Sequence, residues 1–341
     1  MKHIFLLLAL SAVVASCSNK AEHVEKAFYY WKSNEYSLES EQRELDSLGV
    51  KKLYIKFFEV EKDEVLGVIP SAKTQLTIYS DQDSIKVVPT VYLRNEVFKN
   101  ITHGALDSLA DNINFLVSKY MNDNFGRIAK SEEYQMDCDW TLSTKDNYFY
   151  FLKKLKKISG KTLSCTLRLY PYKYPEKMGV PPVDKAMLMC YNLIDPLAKN
   201  SKNSILDVNE LKAYLNTKTK YPLKLDVALP VYSWVQLYQN DHFVKVLYTN
   251  TNDIKKMLSP GKPLWYDVKK DTVINEFYLR AGDKVKIEEI STADLHKAID
   301  ALKENIQFAP DITVSLFHFD DEQISRFSHE EIKSFYTRFT E

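Results

Sequence analysis

The chain has 341 residues, 45% of them hydrophobic, which is enough for one large core or two smaller ones. Its 46 Lys and Arg balance 46 Asp and Glu, so no net charge favours nucleic acid as a partner. Only 8 Gly and 12 Pro exclude a low-complexity or collagen-like chain.

Met1-Lys2-His3 is a short basic start, and Ile4 to Val14 is an apolar run too short for a permanent membrane span. Residues 1–16 therefore read as a signal peptide. Val14-Ala15-Ser16-Cys17 resembles the bacterial lipobox, which implies that Cys17 is lipidated and that the protein is anchored to a membrane of the cell envelope, on its periplasmic or surface side. The alternative is an ordinary signal peptide cut near Ser16. Residues 17–26 are polar and read as a tether.

From residue 27 a strand-helix rhythm begins. Ala27-Phe28-Tyr29-Tyr30-Trp31 is a short aromatic strand, and Glu39 to Leu48 a polar helix stopped by Gly49. Lys52 to Glu59 is the second strand, residues 60–84 an insertion, and Val87 to Leu93 the third strand. Gly104 to Asn122 carries Leu106, Leu109, Ile113, Leu116, Val117 and Tyr120 at the helical period. The fourth strand, Gln135 to Thr141, holds two acids where apolar residues belong. Residues two apart on a strand share a face, so Asp137 and Asp139 are expected side by side. Ser143-Thr144-Lys145-Asp146 is a capping-box pattern before an amphipathic helix from Tyr148.

Thr162 to Tyr170 is the fifth strand, followed by a proline-containing loop from Pro171 to Pro182; Ala186 to Asn192 is the sixth strand. Asp207 is the expected N-cap of a helix to Leu215. Leu225 to Tyr232 is the seventh strand, residues 236–290 a β-rich insertion, 291–305 a helix, and Ile312 to Phe319 the eighth strand; a final helix runs from about Glu322. Eight strands alternating with helices predict an α/β fold, a (β/α)8 TIM-type barrel, as one domain over residues 27–341. An open doubly wound sheet is the runner-up. No Gly-x-Gly-x-x-Gly follows the first strand, so nucleotide binding lacks support.

The C-terminal strand ends carry the site in such a barrel. They hold Asp137 and Asp139, Arg168 and Tyr170, Tyr191 and Asn192, Tyr232 and Trp234, and His318 and Asp320, with Lys56 and Glu59 as weaker candidates. Acids, amides and aromatics converging on one mouth suit a sugar, and paired carboxylates serve glycoside hydrolysis. The plainer alternative is that Asp137 and Asp139 pair with Arg168 as structure. His318 with Asp320 could form an acid/base pair or a local hydrogen bond. Cys138, Cys165 and Cys190 read as buried apolar residues, with one Cys138–Cys165 bridge left open. No motif points to a metal or cofactor.

The Asp137-x-Asp139-Trp140 strand, the Met187-x-x-Cys190-Tyr191-Asn192 strand and the Ala228-Leu229-Pro230-Val231-Tyr232-Ser233-Trp234 strand, in that order, resemble the family 18 glycoside hydrolases. That resemblance implies a barrel in which Asp137 and Asp139 occupy the places of two family acids and Tyr191 that of the family tyrosine, all catalytic; the other strand-end residues Arg168, Asn192, Tyr232, Trp234, His318 and Asp320 are the candidate substrate contacts. The family's catalytic glutamate falls on Thr141, whose hydroxyl is too weak an acid for general-acid work. The mature chain also resembles lipoproteins of Bacteroidetes-type bacteria that share Asp-Cys-Asp-Trp-Thr and Gly-Val-Pro-Pro-Val-Asp, here 179–184. The function expected is a lipid-anchored monomer that acts on or binds glycan. The alternative is a non-catalytic glycan-binding or protein-interaction barrel that has lost the acid. Asp139, Glu59 and Asp320 are the substitute acids.

Overall fold

The computed structural model describes residues 20–32, 39–74, 76, 85–125, 131–217, 219–247, 249, 251–274 and 277–341. Residues 1–16, expected from the sequence to be a signal peptide, and Cys17 lie outside the described residues, as does part of the 60–84 insertion. The strands, in chain order, are β1 (His23–Tyr30), β2 (Lys52–Asp63), β3 (Gly67–Ser71), β4 (Lys86–Leu93), β5 (Glu133–Asp137), β6 (Thr162–Arg168), β7 (Lys185–Met189) and β8 (Lys224–Pro230). Then come β9 (Trp234–Gln239), β10 (His242–Leu247), β11 (Leu258–Pro260), β12 (Trp265–Val268), β13 (Thr272–Ile274), β14 (Phe277–Leu279), β15 (Lys284–Glu288) and β16 (Asp311–Phe317).

Strand β1 pairs in parallel with both β16 and β2, which closes the sheet. The order β1-β2-β4-β5-β6-β7-β8-β16 makes an eight-stranded parallel barrel with helices between strands, as the alternating pattern predicts. Closure rules out the open doubly wound sheet. Strand β3 is an antiparallel hairpin partner of the long β2, so the early insertion is in part an extension of a barrel strand.

The inward faces are polar at one end. Lys86, Glu25, Lys52, Glu133, Lys185 and Asp226 form a chain of ion pairs of 2.7–3.0 Å at the N-terminal ends of the strands. Ser164 donates to Glu133 at 2.6 Å, and the Thr313 backbone N–H donates to Asp226. Burial works against the Glu25 carboxylate, but Lys52 and Lys86 outweigh it and hold its pKa at about 2. Glu133 is likewise disfavoured by burial and held below its usual range by Lys52 and Lys185. One layer up, Tyr29 donates to Gln135 across the barrel at 2.7 Å. Conservative apolar packing dominates outside, where helices His103–Phe125 and Lys145–Ser159 bury Leu106, Ile113, Val117, Tyr148, Phe151 and Leu155 against the sheet.

Strands β9, β15, β12, β10 and β11 form a separate antiparallel sheet inserted between β8 and β16, with its own core of Val235, Leu237, Leu258, Val285 and Ile287. The fully buried Lys286 pairs with fully buried Glu288 at 2.9 Å. Lys286 also donates to the Pro196 and Ala198 carbonyls, and Glu288 accepts from the Ser204 N–H and hydroxyl. This pair pins the loop that follows β7 to the inserted sheet, and removing either partner would strand a buried charge.

Several boundaries differ from expectation. Strand β1 starts at His23, inside the 17–26 stretch read from the sequence as a tether; the Glu22 and His23 N–H groups bond the Pro310 carbonyl. Strands β5, β6, β7, β8 and β16 end two to four residues before their predicted ends. Their apolar tails continue because Cys138, Trp140, Cys190, Tyr191 and Phe319, past the strand ends, are themselves buried. The capping box at 143–146 does not form: Thr144 is the N-cap, but its Oγ1 donates to Asn95 Oδ1 at 2.5 Å and accepts from the Thr141 N–H. The proline loop contains two helical turns, Leu169–Lys173 and Pro175–Met178. The final helix is split into Asp321–Ile324 and His329–Thr337. Cys138, Cys165 and Cys190 are free and buried, so the Cys138–Cys165 bridge is absent. Asp207 caps its helix as expected, accepting from the Asn209 and Glu210 N–H groups.

Candidate functional site

The C-terminal mouth carries acids on one side and aromatic rings on the other. Asp137 ends β5 and points inward, half-buried, where Thr166 Oγ1 of β6 donates to its Oδ1 at 2.6 Å. Tyr92 of β4 lies in register beside it. Burial is the main cause that raises the Asp137 carboxyl, and the neighbouring charge of Asp139 adds to it; the Thr166 bond and Arg168 oppose, leaving its pKa at about 6.

Asp139 lies beyond the strand end, so it is not aligned with Asp137 by strand alternation. It is exposed and meets Arg168 in a two-pronged pair, Nε to Oδ1 at 2.6 Å and Nη2 to Oδ2 at 2.8 Å. Burial works against the Arg168 charge, but Asp139 outweighs it and keeps the guanidinium ionised. Both Asp139 oxygens thus accept from the guanidinium, an arrangement for an acceptor and not for a proton donor. Thr141, at the position two further on, is exposed and bonds Ser143 and Thr144.

The other acids are also engaged. Glu59 is paired with Lys56 at 2.9 Å and Arg94 at 3.3 Å. Asp320 pairs with Lys32 at 3.3 Å and caps the following helical turn by accepting from the Gln323 N–H. Among the described residues no hydrogen bond joins His318 to Asp320. His318 Nδ1 is buried without a hydrogen-bond partner among the described residues, and burial holds the ring below its ordinary pKa. The capping role of Asp320 follows from its position one residue before the turn.

Opposite the acids, rings touch in sequence. Trp31 packs on Phe317 at 5.7 Å, Phe317 on Tyr191 at 5.1 Å, Tyr191 on Tyr232 at 6.0 Å and Tyr232 on Trp234 at 5.6 Å. Tyr191 and Asn192 follow the end of β7. Asn192 takes a left-handed φ of 55° and accepts from Tyr232 Oη at 2.6 Å. Tyr191 is buried, and its hydroxyl donates to Met189 Sδ at 3.7 Å. Trp234 opens β9, with its indole N–H unbonded among the described residues. The structure therefore gathers Asp137, Asp139, Arg168, Tyr191, Asn192, Tyr232 and Trp234 around one mouth, and adds Trp31, Tyr92, Thr166 and Phe317. The aromatic run ending at Trp31 was the sequence signal for the first of these.

A cavity of about 540 Å3 opens beside Asp139 and Arg168, bounded by Trp140, Leu142, Tyr170, Lys177 and Met178 among others. Asp137 and Tyr191 do not line it. Among the described residues no group of three or more His, Cys, Asp or Glu is gathered as a metal ion would need.

The closed (β/α)8 barrel, with polar and aromatic side chains at its C-terminal mouth and an inserted sheet before its last strand, is similar in fold to several solved structures. Solved structures carry the likeness. The spore cortex-lytic enzyme SleL of Bacillus megaterium superposes with a TM-score of 0.54 at 14% identity, covering 92% of this chain and 74% of that one. SleL of Bacillus cereus gives 0.51 at 14% identity, over 94% and 75%. The class V chitinase of Nicotiana tobaccum gives 0.48 at 11% identity, over 93% and 99%. At these identities the likeness is one of fold. No family model matches the chain, and no curated protein is similar to it.

Proposed function

We propose that this protein is a lipid-anchored, monomeric barrel of the cell envelope that binds glycan at its mouth without cleaving it. The carrying observation is the state of the acids: Asp139 has both oxygens bonded by Arg168, and Thr141 stands where the chitinase-like pattern has its proton donor. Carboxylate, guanidinium and amide groups accept from and donate to sugar hydroxyls, and the Trp31–Phe317–Tyr232–Trp234 wall offers ring faces to the apolar side of a pyranose. Support for a glycan also comes from fold neighbours described as cortex-lytic enzymes. Support for the anchor comes from the Val14-Ala15-Ser16-Cys17 sequence alone.

A second reading, slow hydrolysis, is favoured by one observation: Asp137, with its pKa at about 6, is poised to give a proton near neutrality. Calorimetry and reducing-end release with chitin oligosaccharides, peptidoglycan and host glycans separate the two. Binding by wild type that is lost in Asp139→Asn, with no reducing ends formed, supports the binder. Sugar release abolished by Asp137→Asn replaces it with a hydrolase, and no binding of any glycan removes both.

A further inference from the structure

The described chain begins at the end of the barrel opposite the mouth. The Glu22 and His23 N–H groups bond the Pro310 carbonyl, the Ala21 N–H bonds the Phe339 carbonyl, and Lys20 Nζ donates to the Glu341 carbonyl at 3.3 Å. These bonds hold Lys20 to His23 at the N-terminal ends of the strands. In sequence, Ser18 and Asn19 alone separate Lys20 from Cys17, and three fully extended residue steps span at most about 11 Å. The eight residues of β1, tilted as barrel strands are, rise about 20 Å along the barrel axis. A barrel held by Cys17 with its mouth against a bilayer would need a tether longer than this one.

Beside the point where the chain enters, a cavity of about 570 Å3 opens between segments 217–225 and 305–310. Pro310, which holds Glu22 and His23, lines it together with Tyr172, Lys220, Lys224, Asn305 and Gln307. Among the described residues no carboxylate lines it. Lys220 and Lys224 are exposed and form no ion pair among the described residues; Lys220 Nζ donates to the Gln307 amide oxygen at 3.3 Å. On the same face Lys51 and Lys161, each just before a barrel strand, are exposed and likewise without a carboxylate partner among the described residues, against the exposed acids Glu22, Glu132 and Asp311. Lysines beside a membrane anchor are drawn to anionic headgroups, and a carboxylate-free recess with two ammonium groups and side-chain amides suits a phosphate.

We propose that the N-terminal face is the membrane-facing surface of the anchored barrel, that the cavity bounded by Lys220, Lys224 and Gln307 receives the phosphate of an anionic lipid headgroup, and that the mouth opens away from the bilayer. This rests on the Cys17 anchor and goes beyond it. The short tether sets the orientation, the lysines fix the face, and the ligand of the mouth arrives from the aqueous side.

The test uses the full lipidated chain in vesicles of phosphatidylcholine, with and without phosphatidylglycerol, carrying a nitroxide quencher on the headgroups. A fluorophore is placed on Thr219→Cys at the cavity or on Val65→Cys, an exposed turn beyond the C-terminal end of β2; Cys138, Cys165 and Cys190 are buried and do not compete for the label. The expected result is loss of most of the fluorescence at position 219 and none at position 65. Equal loss at both, greater loss at 65 or none at 219 would overturn the orientation while leaving the anchor in place. Phosphatidylglycerol is expected to deepen the loss at 219, and the double variant Lys220→Gln, Lys224→Gln to abolish that increase. No increase, or one that survives in the double variant, removes the headgroup site. Flotation separates the two readings: wild type that does not rise with the vesicles removes the anchor and this proposal together.

Discussion

Replacing Asp137 by Asn is expected to raise stability at neutral pH and to leave it unchanged in acid. The carboxyl moves from an ordinary 3.8 to about 6 on folding, because burial and the Asp139 charge disfavour its ionised form. A group whose folded pKa is raised binds its proton more tightly in the folded state. Folding is therefore unopposed below about pH 4, where both states are protonated. The penalty grows between pH 4 and 6 and is complete above 6. Each pKa unit is worth about 1.4 kcal/mol, so ionised Asp137 costs the fold about 3 kcal/mol at pH 7.5. Asn keeps an oxygen for Thr166 Oγ1 and carries no charge. Urea unfolding of both proteins at pH 4, 5, 6 and 7.5 reads the difference directly. The variant is expected to gain about 2–3 kcal/mol at pH 7.5 and almost nothing at pH 4. A difference independent of pH, or a variant less stable at pH 7.5, would refute the assignment of Asp137 as a carboxyl strained by its surroundings.

At the other end of the barrel, Glu133→Gln leaves Lys52 and Lys185 facing each other without their shared carboxylate, and a loss of about 3–5 kcal/mol is expected in thermal or urea unfolding. Glu25, held at about 2, contributes stability that is fully present above its ordinary value of 4.5 and is lost as pH falls toward 2. Glu25→Gln is accordingly expected to flatten the acid limb of the stability profile, and an unchanged limb would contradict it. Gly179 has φ 77°, and a Cβ there would sit 2.7 Å from Phe149 Cε2. Gly179→Ala should therefore cost more than about 1 kcal/mol, against a near-neutral outcome if the ring could yield. Arg168→Met is expected to weaken glycan binding at least tenfold, on the order of 1.5–3 kcal/mol for hydrogen bonds to charged groups, with the unfolding transition little changed.

The barrel was legible because its core is built from period-two strands and period-3.6 helices that the hydrophobic pattern exposes, as in Leu106 to Tyr120. The strand ends were not, since loop residues such as Trp140 and Tyr191 are buried as deeply as strand residues and prolong the apolar signal. Asp137 and Asp139 were found from their anomaly in an apolar run, but their unlike fates were not, because Asp137 is the last residue of its strand and Asp139 lies two residues beyond it, where strand alternation no longer sets the side-chain direction. The ionic chain at the N-terminal face was invisible. Lys52, Glu133, Lys185 and Asp226 each look like an ordinary polar strand start, and only the strand order, with one strand between the partners, brings residues 52 and 133, or 133 and 185, within 3 Å. Lys286 and Glu288 were hidden for the same reason, since an alternating strand reads equally well with its charged face in solvent.

The most direct test of a glycan-binding mouth is calorimetric titration of wild type and Asp139→Asn with a soluble peptidoglycan oligosaccharide, alongside a reducing-end assay on the same mixtures. Saturable binding by wild type, loss of that binding in the variant and no new reducing ends are the expected results. Absence of binding by wild type, or equal binding by both proteins, would contradict the account.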